Sequence, residues 1–261
     1  RNIREKAFGT MWQVRLKEKN RLESLFDKLL GLRQNIATNA GFKNFRDYIH
    51  KKKARFDYTV DDCFEFHKSI KKVVMPVYNK ILRERKKILK LDRLRPWDLS
   101  LDLYTRKPLK PFKTDKELIN GCIRILKSIE PSIGNNLAYM KKKGFLDLGT
   151  RLNKAPGGYN YPLMKTNRAF IFMNAVGLAG DVITLLHESG HATHTYQLRG
   201  EKIAEYKDYP SEVAELASMT MELITMDYWD VFYKNKDDLK RAKQEQIEDI
   251  IKILPWISSV D

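Results

Sequence analysis

The sequence predicts a mainly α-helical protein with one short β segment. Apolar residues recur at helical spacing over most of its 261 residues. One aromatic and β-branched run, residues 169–174, is flanked by glycines and predicts a strand. A composition with 43% hydrophobic and 31% charged residues is typical of a folded chain and excludes general disorder.

Helices account for the expected structure of the first half of the chain. The apolar spacing predicts them near residues 10–38, 43–50, 60–91, 115–129 and 131–143. Thr59 and Thr114 each precede an acidic residue by three positions and are candidate capping boxes. Pro76 is expected to kink or split the third helix, because proline removes a helical hydrogen bond.

Near residue 150 the pattern changes to glycine, proline and tyrosine with extended runs. It then returns to helical spacing at residues 182–199, 210–234 and 237–253. We therefore expect a basic helical support region over residues 1–150 and a second region over residues 151–261, packed as one body. The second region holds the residues with recognisable chemistry.

Residues 187–191 read His-Glu-Ser-Gly-His on the predicted helix 182–199. Two histidines four apart project from one helix face, where they suit two corners of a zinc tetrahedron, and Glu188 falls beside the metal. This is the pattern of a zinc peptidase. The alternative is a set of core histidines bonded to neighbours, which is weaker because three imidazoles and a carboxylate buried together all need polar partners.

A catalytic zinc site needs a third protein ligand. Gln197 stands where a metzincin would place a third histidine. His194 follows His191 by only three residues and would crowd one side of the ion, so we expect it to be a hydrogen-bonding neighbour. A following helix offers Glu212 and Glu215, and spacing alone leaves both open.

Two sequence strings carry a family resemblance. Residues 185–194 and 210–215 resemble the oligoendopeptidase F and thimet oligopeptidase family, whose pattern is HExGHxxH followed by Pro-Ser-x-x-x-Glu. The resemblance implies that Glu215 is the third zinc ligand. The extended pattern also matches at Asp181, Glu222, residues 157–159 and residues 254–257, and its strong part covers residues 150–261.

The resemblance implies a helical gluzincin core that holds one Zn²⁺ per chain and hydrolyses internal bonds of short peptides. The chemistry also follows from the residues: zinc acidifies water, and Glu188 is placed to accept its proton and pass it to the leaving nitrogen. We expect Glu222 to accept a hydrogen bond from a ligand histidine, and Asp181 to cap the helix.

The strand at residues 169–174 is expected to be an edge strand that pairs with an extended substrate through main-chain hydrogen bonds. The alternative is a buried core strand, and both can hold together, because an edge strand can bury one side and offer the other. Candidate substrate-binding residues lie in this strand and in the glycine motif before it: Gly157, Gly158, Tyr159, Phe172 and Asn174.

The resemblance also implies a tyrosine and a histidine downstream of residues 254–257, to stabilise the oxyanion. The sequence ends at Asp261 and has no histidine after His194. We therefore expect an internal piece of a longer protein, truncated at its C-terminus, whose activity alone is in question. The candidate electrophiles within it are Tyr159, Tyr161, Tyr196 and Tyr209.

The net charge of +16 is uneven. Residues 1–150 hold 36 Lys and Arg against 17 Asp and Glu, whereas residues 151–261 hold 13 against 16. We interpret the basic runs as solvated helix faces, and not as a nucleic-acid binding surface, because no recognition motif accompanies them. The alternatives to a peptidase are a basic module that binds nucleic acid or acidic partners, and a catalytically inactive peptidase-like fragment.

Location is predicted from the cysteines and the apolar runs. Cys63 and Cys122 are widely separated and fit reduced thiols in a cytoplasmic protein. The apolar stretch 169–186 contains Asn174 and Asp181, so we expect no membrane span.

Overall fold

The computed structural model describes residues 1–260 and is mainly helical. Its contacts divide the chain into two compact units, one of Arg1–Arg106 with Asp249–Asp261 and one of Lys107–Glu248. The expected boundary near residue 150 differs from this division, because residues 107–150 group with the residues that carry the candidate site. Packing of the halves as one body stays a prediction.

The first unit is built from helices. They are α1 (Asn2–Lys17), α2 (Lys19–Asn39), α3 (Phe45–Lys52), α4 (Val60–Ser69) and α5 (Met75–Ile88). The helix is interrupted at Glu18. The single helix expected over residues 10–38 is therefore two helices, and the first of them begins at Asn2. A π-helical turn, Ile70–Val74, separates α4 from α5 directly before Pro76, which confirms the expected interruption.

Capping residues start two of the predicted helices as expected. The Thr59 hydroxyl accepts from the Asp62 N–H at 3.2 Å, and Asp62 Oδ2 accepts from the Thr59 N–H at 2.7 Å, which completes a capping box. The Thr114 hydroxyl accepts from the Glu117 N–H at 3.2 Å. Glu117 reaches back to the N–H of Lys113, one residue earlier than the capping box requires.

The second unit packs helices against a three-stranded sheet. Its elements are α6 (Asp115–Ile129), α7 (Pro131–Lys143), β1 (Leu146–Gly149), β2 (Tyr159–Leu163), β3 (Arg168–Ala175), α8 (Ala179–Gln197), α9 (Ser211–Ile224) and the first half of α10 (Lys236–Val260). The helix expected over residues 210–234 ends at Ile224, and a 3₁₀ segment, Met226–Val231, follows it.

The sheet has the strand order β1-β3-β2, with β1 parallel and β2 antiparallel to β3. Side chains of β3 alternate strictly, and Ala169, Ile171, Met173 and Ala175 are buried. These residues join Leu185 of α8 in the hydrophobic core, so α8 lies against the sheet. Among residues 1–260, no helix combines the length and the apolar character that a bilayer crossing requires.

Candidate metal centre

Helices α8 and α9 bring two histidines and one glutamate together. The rings of His187 and His191, one turn apart on α8, have centroids 4.9 Å apart. Nε2 of His187 lies 3.4 Å from Oε2 of Glu215, and Nε2 of His191 lies 3.8 Å from Oε1. One potential ligand atom from each of the three residues lies within 4.8 Å of the others, and within residues 1–260 no other group of this kind occurs.

The two glutamates on α9 differ in their distance from the histidines. The cluster contains Glu215 and excludes Glu212, which lies on the previous helical turn. Ser218, three residues after Glu215, donates from its hydroxyl to Glu215 Oε2 at 2.8 Å. This bond restrains the rotation of the carboxylate and keeps it facing the histidines.

Gly190 allows α8 and α9 to approach this closely. A β-carbon at position 190 would lie 2.6 Å from the carbonyl oxygen of Ala217 and 2.6 Å from Cα of Ser218. Backbone therefore meets backbone between the two helices, close to His187 and His191. In the sequence analysis Gly190 was only part of a motif; the signal for its packing role was a residue without a side chain between two histidines on one helix.

A hydrogen-bonded chain extends outward from His187. Nδ1 of His187 lies 2.7 Å from Oε1 of Glu222, as expected from the sequence. A carboxylate is an acceptor only, so Nδ1 donates. In the neutral imidazole the lone pair is then on Nε2, which faces Glu215. The other oxygen of Glu222 accepts from Nε2 of Gln246 on α10 at 2.7 Å. Sequence reasoning missed Gln246, because no local pattern joins residues 222 and 246.

Burial and charge shift the titration of the cluster in opposite directions. Burial lowers the pKa of His187, but the bond with Glu222 and the carboxylates of Glu188 and Glu215 outweigh it, so this pKa lies above its ordinary value. Burial lowers the pKa of His191 below its ordinary value. For the acidic Glu188, burial raises the pKa, although the charge of His187 opposes this shift.

Glu188 lies beside the cluster with a polar atom unsatisfied. Its side chain is 6% exposed, and no described residue hydrogen-bonds to its buried Oε2. Such an atom is costly unless something else satisfies it. Two imidazoles with one carboxylate form a zinc donor set that leaves a position open. The residues present therefore fit a catalytic metal, and the carboxylate of Glu188 lies within electrostatic reach of His187 and Glu215.

His194 lies outside the cluster. Its ring stacks on that of Tyr209, with centroids 3.8 Å apart and planes at 19°. Burial lowers the pKa of His194. Because Tyr209 directly precedes Pro210 and α9, the stack joins the last turn of α8 to the start of α9, and the expected role of a hydrogen-bonding neighbour stays a prediction.

Asp181 caps α8, but from inside the helix. Its Oδ2 accepts from the N–H of Val176 at 2.9 Å and from that of Leu178 at 2.8 Å. The helix begins at Ala179, three residues before the expected start at 182. The helix starts earlier than expected because a carboxylate at the third helical position can reach back to the free N–H groups before the first turn, as an N-cap side chain also can.

The expected substrate strand is a central strand. β3 lies between β1 and β2, so its main chain is paired on both sides, and the expectation of a free edge at residues 169–174 is wrong. Phe172 stacks on Tyr159 of β2 at 5.0 Å. Asn174 donates to the carbonyls of Ala155 and Gly157. Both side chains support the sheet and its loop, and β2 is the outer strand next to the site.

A buried lysine fixes the loop before β2. Nζ of Lys154 donates to the carbonyls of Gly149 at 2.8 Å and Met173 at 2.5 Å, and it pairs with Asp147 at 3.0 Å. Its side chain is 1% exposed. No sequence signal distinguished Lys154 from the many surface lysines. This contact sets the path of the chain into Gly157 and Gly158.

The candidate tyrosines differ in access. Tyr159 and Tyr161 on β2 are 49% and 59% exposed. Tyr196 is 6% exposed, and burial raises its pKa. Tyr209 is occupied in the stack with His194. The exposed pair on the outer strand is therefore the more accessible to a bound molecule.

The sequence profile of peptidase family M3 matches residues 1–255. The chain belongs to this family. Among curated M3-type relatives, oligopeptidase PepF of Bacillus subtilis (strain 168) is 26% identical over 233 residues, which cover 87% of this chain and 33% of that protein. The oligoendopeptidase F homolog of Mycoplasma pneumoniae is 28% identical over 260 residues, covering 95% of this chain and 40% of the relative.

Solved structures agree with the family assignment. A structure titled PZ peptidase A with inhibitor 2 has a TM-score of 0.84 and 27% identity, over 94% of this chain and 43% of that one. An oligoendopeptidase F from Bacillus anthracis str. Ames has a TM-score of 0.83 and 26% identity, over 94% and 44%. This chain spans about a quarter to a third of the length of the first curated relatives.

Proposed function

We propose that this chain carries the catalytic centre of a zinc-dependent oligopeptidase that hydrolyses internal bonds of short peptides. The observation that carries the proposal is the cluster of His187, His191 and Glu215, with the buried, unsatisfied Oε2 of Glu188 beside it. In this assignment the three clustered residues hold the metal, and Glu188 is the general base and acid. The named activities of the relatives support the peptide substrate.

A bound zinc ion supplies Lewis acidity, which polarises a peptide carbonyl and makes water easier to deprotonate. Glu188 takes one proton from the attacking water as the new C–O bond forms. It then delivers that proton to the leaving nitrogen as the C–N bond breaks, so the products are a carboxyl and an amine. Burial favours this exchange because it raises the pKa of Glu188 towards the working range.

The remaining residues hold these groups in position. Glu222 and Ser218 fix the orientation of His187 and Glu215 through hydrogen bonds of 2.7 Å and 2.8 Å. We assign the pairing of an extended peptide to the outer edge of β2, where main-chain bonds tolerate varied sequences. Gly157, Gly158 and Tyr159 stay candidates for substrate contact, and the cytoplasmic location stays a prediction.

Metal content tests the ligand assignment directly. The full protein is purified as wild type, Glu215→Ala and Glu212→Ala, and zinc is measured by elemental analysis with cleavage of a quenched fluorescent peptide in the same samples. We expect about one zinc per chain, lost in Glu215→Ala and retained in Glu212→Ala. Equal zinc in all three samples, or none in the wild type, contradicts the assignment.

Glu188→Gln separates catalysis from binding. The amide keeps the shape of the side chain and cannot accept the proton, so zinc content should stay unchanged while cleavage falls by at least a hundredfold, the usual scale of general-base catalysis. Peptide cleavage within tenfold of the wild type would remove Glu188 from the proposed mechanism.

A further inference from the structure

Gln246 is a buried amide that contacts Glu222, the hydrogen-bond partner of His187. It lies on α10, is 3% exposed, and donates from Nε2 to Oε2 of Glu222 at 2.7 Å. We propose that Gln246 is a positioning residue of the metal centre: it fixes the Glu222 carboxylate, which in turn keeps the ring of His187 turned with Nε2 towards the metal. This inference rests on the proposed function.

Each oxygen of Glu222 has one partner in this arrangement. Oε1 lies 2.7 Å from Nδ1 of His187, and Oε2 accepts from Gln246. Two bonds at opposite oxygens define the plane of the carboxylate, whereas one bond leaves it free to rotate. The direction of Oε1 then depends on Gln246, and so does the orientation of the His187 ring that turns Nε2 towards Glu215.

The uncharged donor suits this task. No lysine or arginine within residues 1–260 forms an ion pair with Glu222. An amide restrains a carboxylate without neutralising it, so Glu222 keeps its full charge for the imidazole. A cation in place of Gln246 would compete with His187 for that charge and weaken the imidazole as a ligand.

Burial makes the contact specific to these partners. Gln246 is almost inaccessible to solvent, so water cannot replace the bond without a rearrangement of α10. Loss of the donor would leave Oε2 of Glu222 unsatisfied in a largely buried setting. A glutamine that only filled space would leave the metal ligands unaffected when replaced by a side chain of similar shape.

The test compares zinc affinity of the metal-free full protein by competition with a fluorescent chelator. Gln246→Met keeps the length of the side chain and removes the donor. Gln244→Met is the matched control, because Gln244 lies exposed on the same helix and contacts Glu248. We expect zinc to bind about threefold to tenfold more weakly to Gln246→Met, which is less than the roughly tenfold to hundredfold effect of a direct partner of a ligand, because Gln246 acts through Glu222. The zinc affinity of Gln244→Met should be unchanged.

A double-mutant cycle shows whether the effect passes through Glu222. In the Glu222→Ala background, Gln246→Met should cause no further loss of zinc affinity, because the partner it acts through is absent. The ring ¹⁵N signals of His187 in the metal-free protein give a second readout. At a pH at which the imidazole is neutral, they should show the proton on Nδ1 in the wild type and a mixture of tautomers in Gln246→Met.

The outcomes separate this inference from the proposed function. Equal loss of affinity with and without Glu222, or an unchanged His187 tautomer in Gln246→Met, overturns the positioning role while the metal centre stands. A wild type that binds no zinc overturns the proposed function, and the tautomer still decides the role of Gln246. If circular dichroism shows that Gln246→Met is unfolded, Gln246→Leu takes its place in both measurements.

Discussion

Gly190 of α8 lies against Ser218 of α9 so closely that a β-carbon on the glycine would come within 2.6 Å of Cα of the serine. The contact joins the helix that carries both histidines of the cluster to the helix that carries Glu215. Ser218 itself donates to Glu215 Oε2 at 2.8 Å. The spacing of the two backbones and the aim of the carboxylate are therefore set at one point.

Gly190→Ala should separate these helices. The added methyl group meets backbone on α9, which cannot rotate away, so we expect a loss of about 1–3 kcal/mol in the free energy of unfolding, the usual cost of overpacking. Zinc should bind more weakly because Glu215 moves with α9. Denaturant unfolding and chelator competition measure the two effects.

Gly180→Ala is the control for Gly190→Ala. It lies on the same helix, and a β-carbon there would meet nothing within 4 Å. Stability should stay equal or rise, because alanine favours helix. If the two variants behave alike, the close approach at Gly190 does not matter for stability.

Ser218→Ala tests how the orientation of the Glu215 carboxylate affects zinc binding. The hydroxyl bond to Glu215 is lost with little change in volume, so we expect zinc affinity to fall about tenfold while the unfolding free energy falls by about 1 kcal/mol. Ser189→Ala is the matched control, because Ser189 is equally buried on α8 and donates to its own helix at the Leu185 carbonyl. Zinc affinity that falls equally in both variants would remove Ser218 from the site.

Local patterns could predict much of this site. His187, Glu188 and His191 follow from spacing on one helix, and the choice of Glu215 over Glu212 followed from resemblance, in agreement with the cluster. Glu222 could also be predicted, because it shares a helical face with Glu215. These residues depend on periodicity within one element, which sequence reports well.

The missed residues depend on contacts between elements far apart in sequence. Gln246 meets Glu222 across 24 positions, and Lys154 meets Met173 across 19. β1 has only four residues, too few for an alternating pattern, so its pairing on β3 went unpredicted and β3 was wrongly expected at an edge. Sheet order is a tertiary property that no single strand encodes.

Lys154→Met should destabilise the sheet and its loop. Met has similar length but leaves the carbonyls of Gly149 and Met173 without their charged donor, so we expect a loss of about 2–3 kcal/mol in unfolding free energy. Arg151→Met is the comparison, because Arg151 pairs with the same Asp147 but is 59% exposed. Solvent screens an exposed ion pair, so we expect a smaller loss of stability in Arg151→Met. Equal losses in the two variants would contradict the importance of the buried contact.

The carboxylate of Asp147 gives a prediction for stability in acid. The hydrogen bond from Arg151 lowers the pKa of Asp147, burial opposes it, and Lys154 lowers it further, to about 2 from an ordinary value of 3.8. Because the folded pKa is the lower one, folding favours the charged form. The stabilisation is complete above about pH 4 and is lost as the pH falls towards about 2.

Asp147→Asn removes this titration from the folded state. We therefore expect the difference in unfolding free energy between the wild type and Asp147→Asn to be constant above pH 5 and to shrink between about pH 4 and about pH 2. Urea unfolding at fixed ionic strength over that range measures it, with Asp237→Asn as a control, since Asp237 is an exposed residue at the start of α10. A difference that stays constant down to pH 2 would show that Asp147 titrates alike in the folded and unfolded chain, and the ion pairs with Arg151 and Lys154 would then contribute nothing that depends on pH.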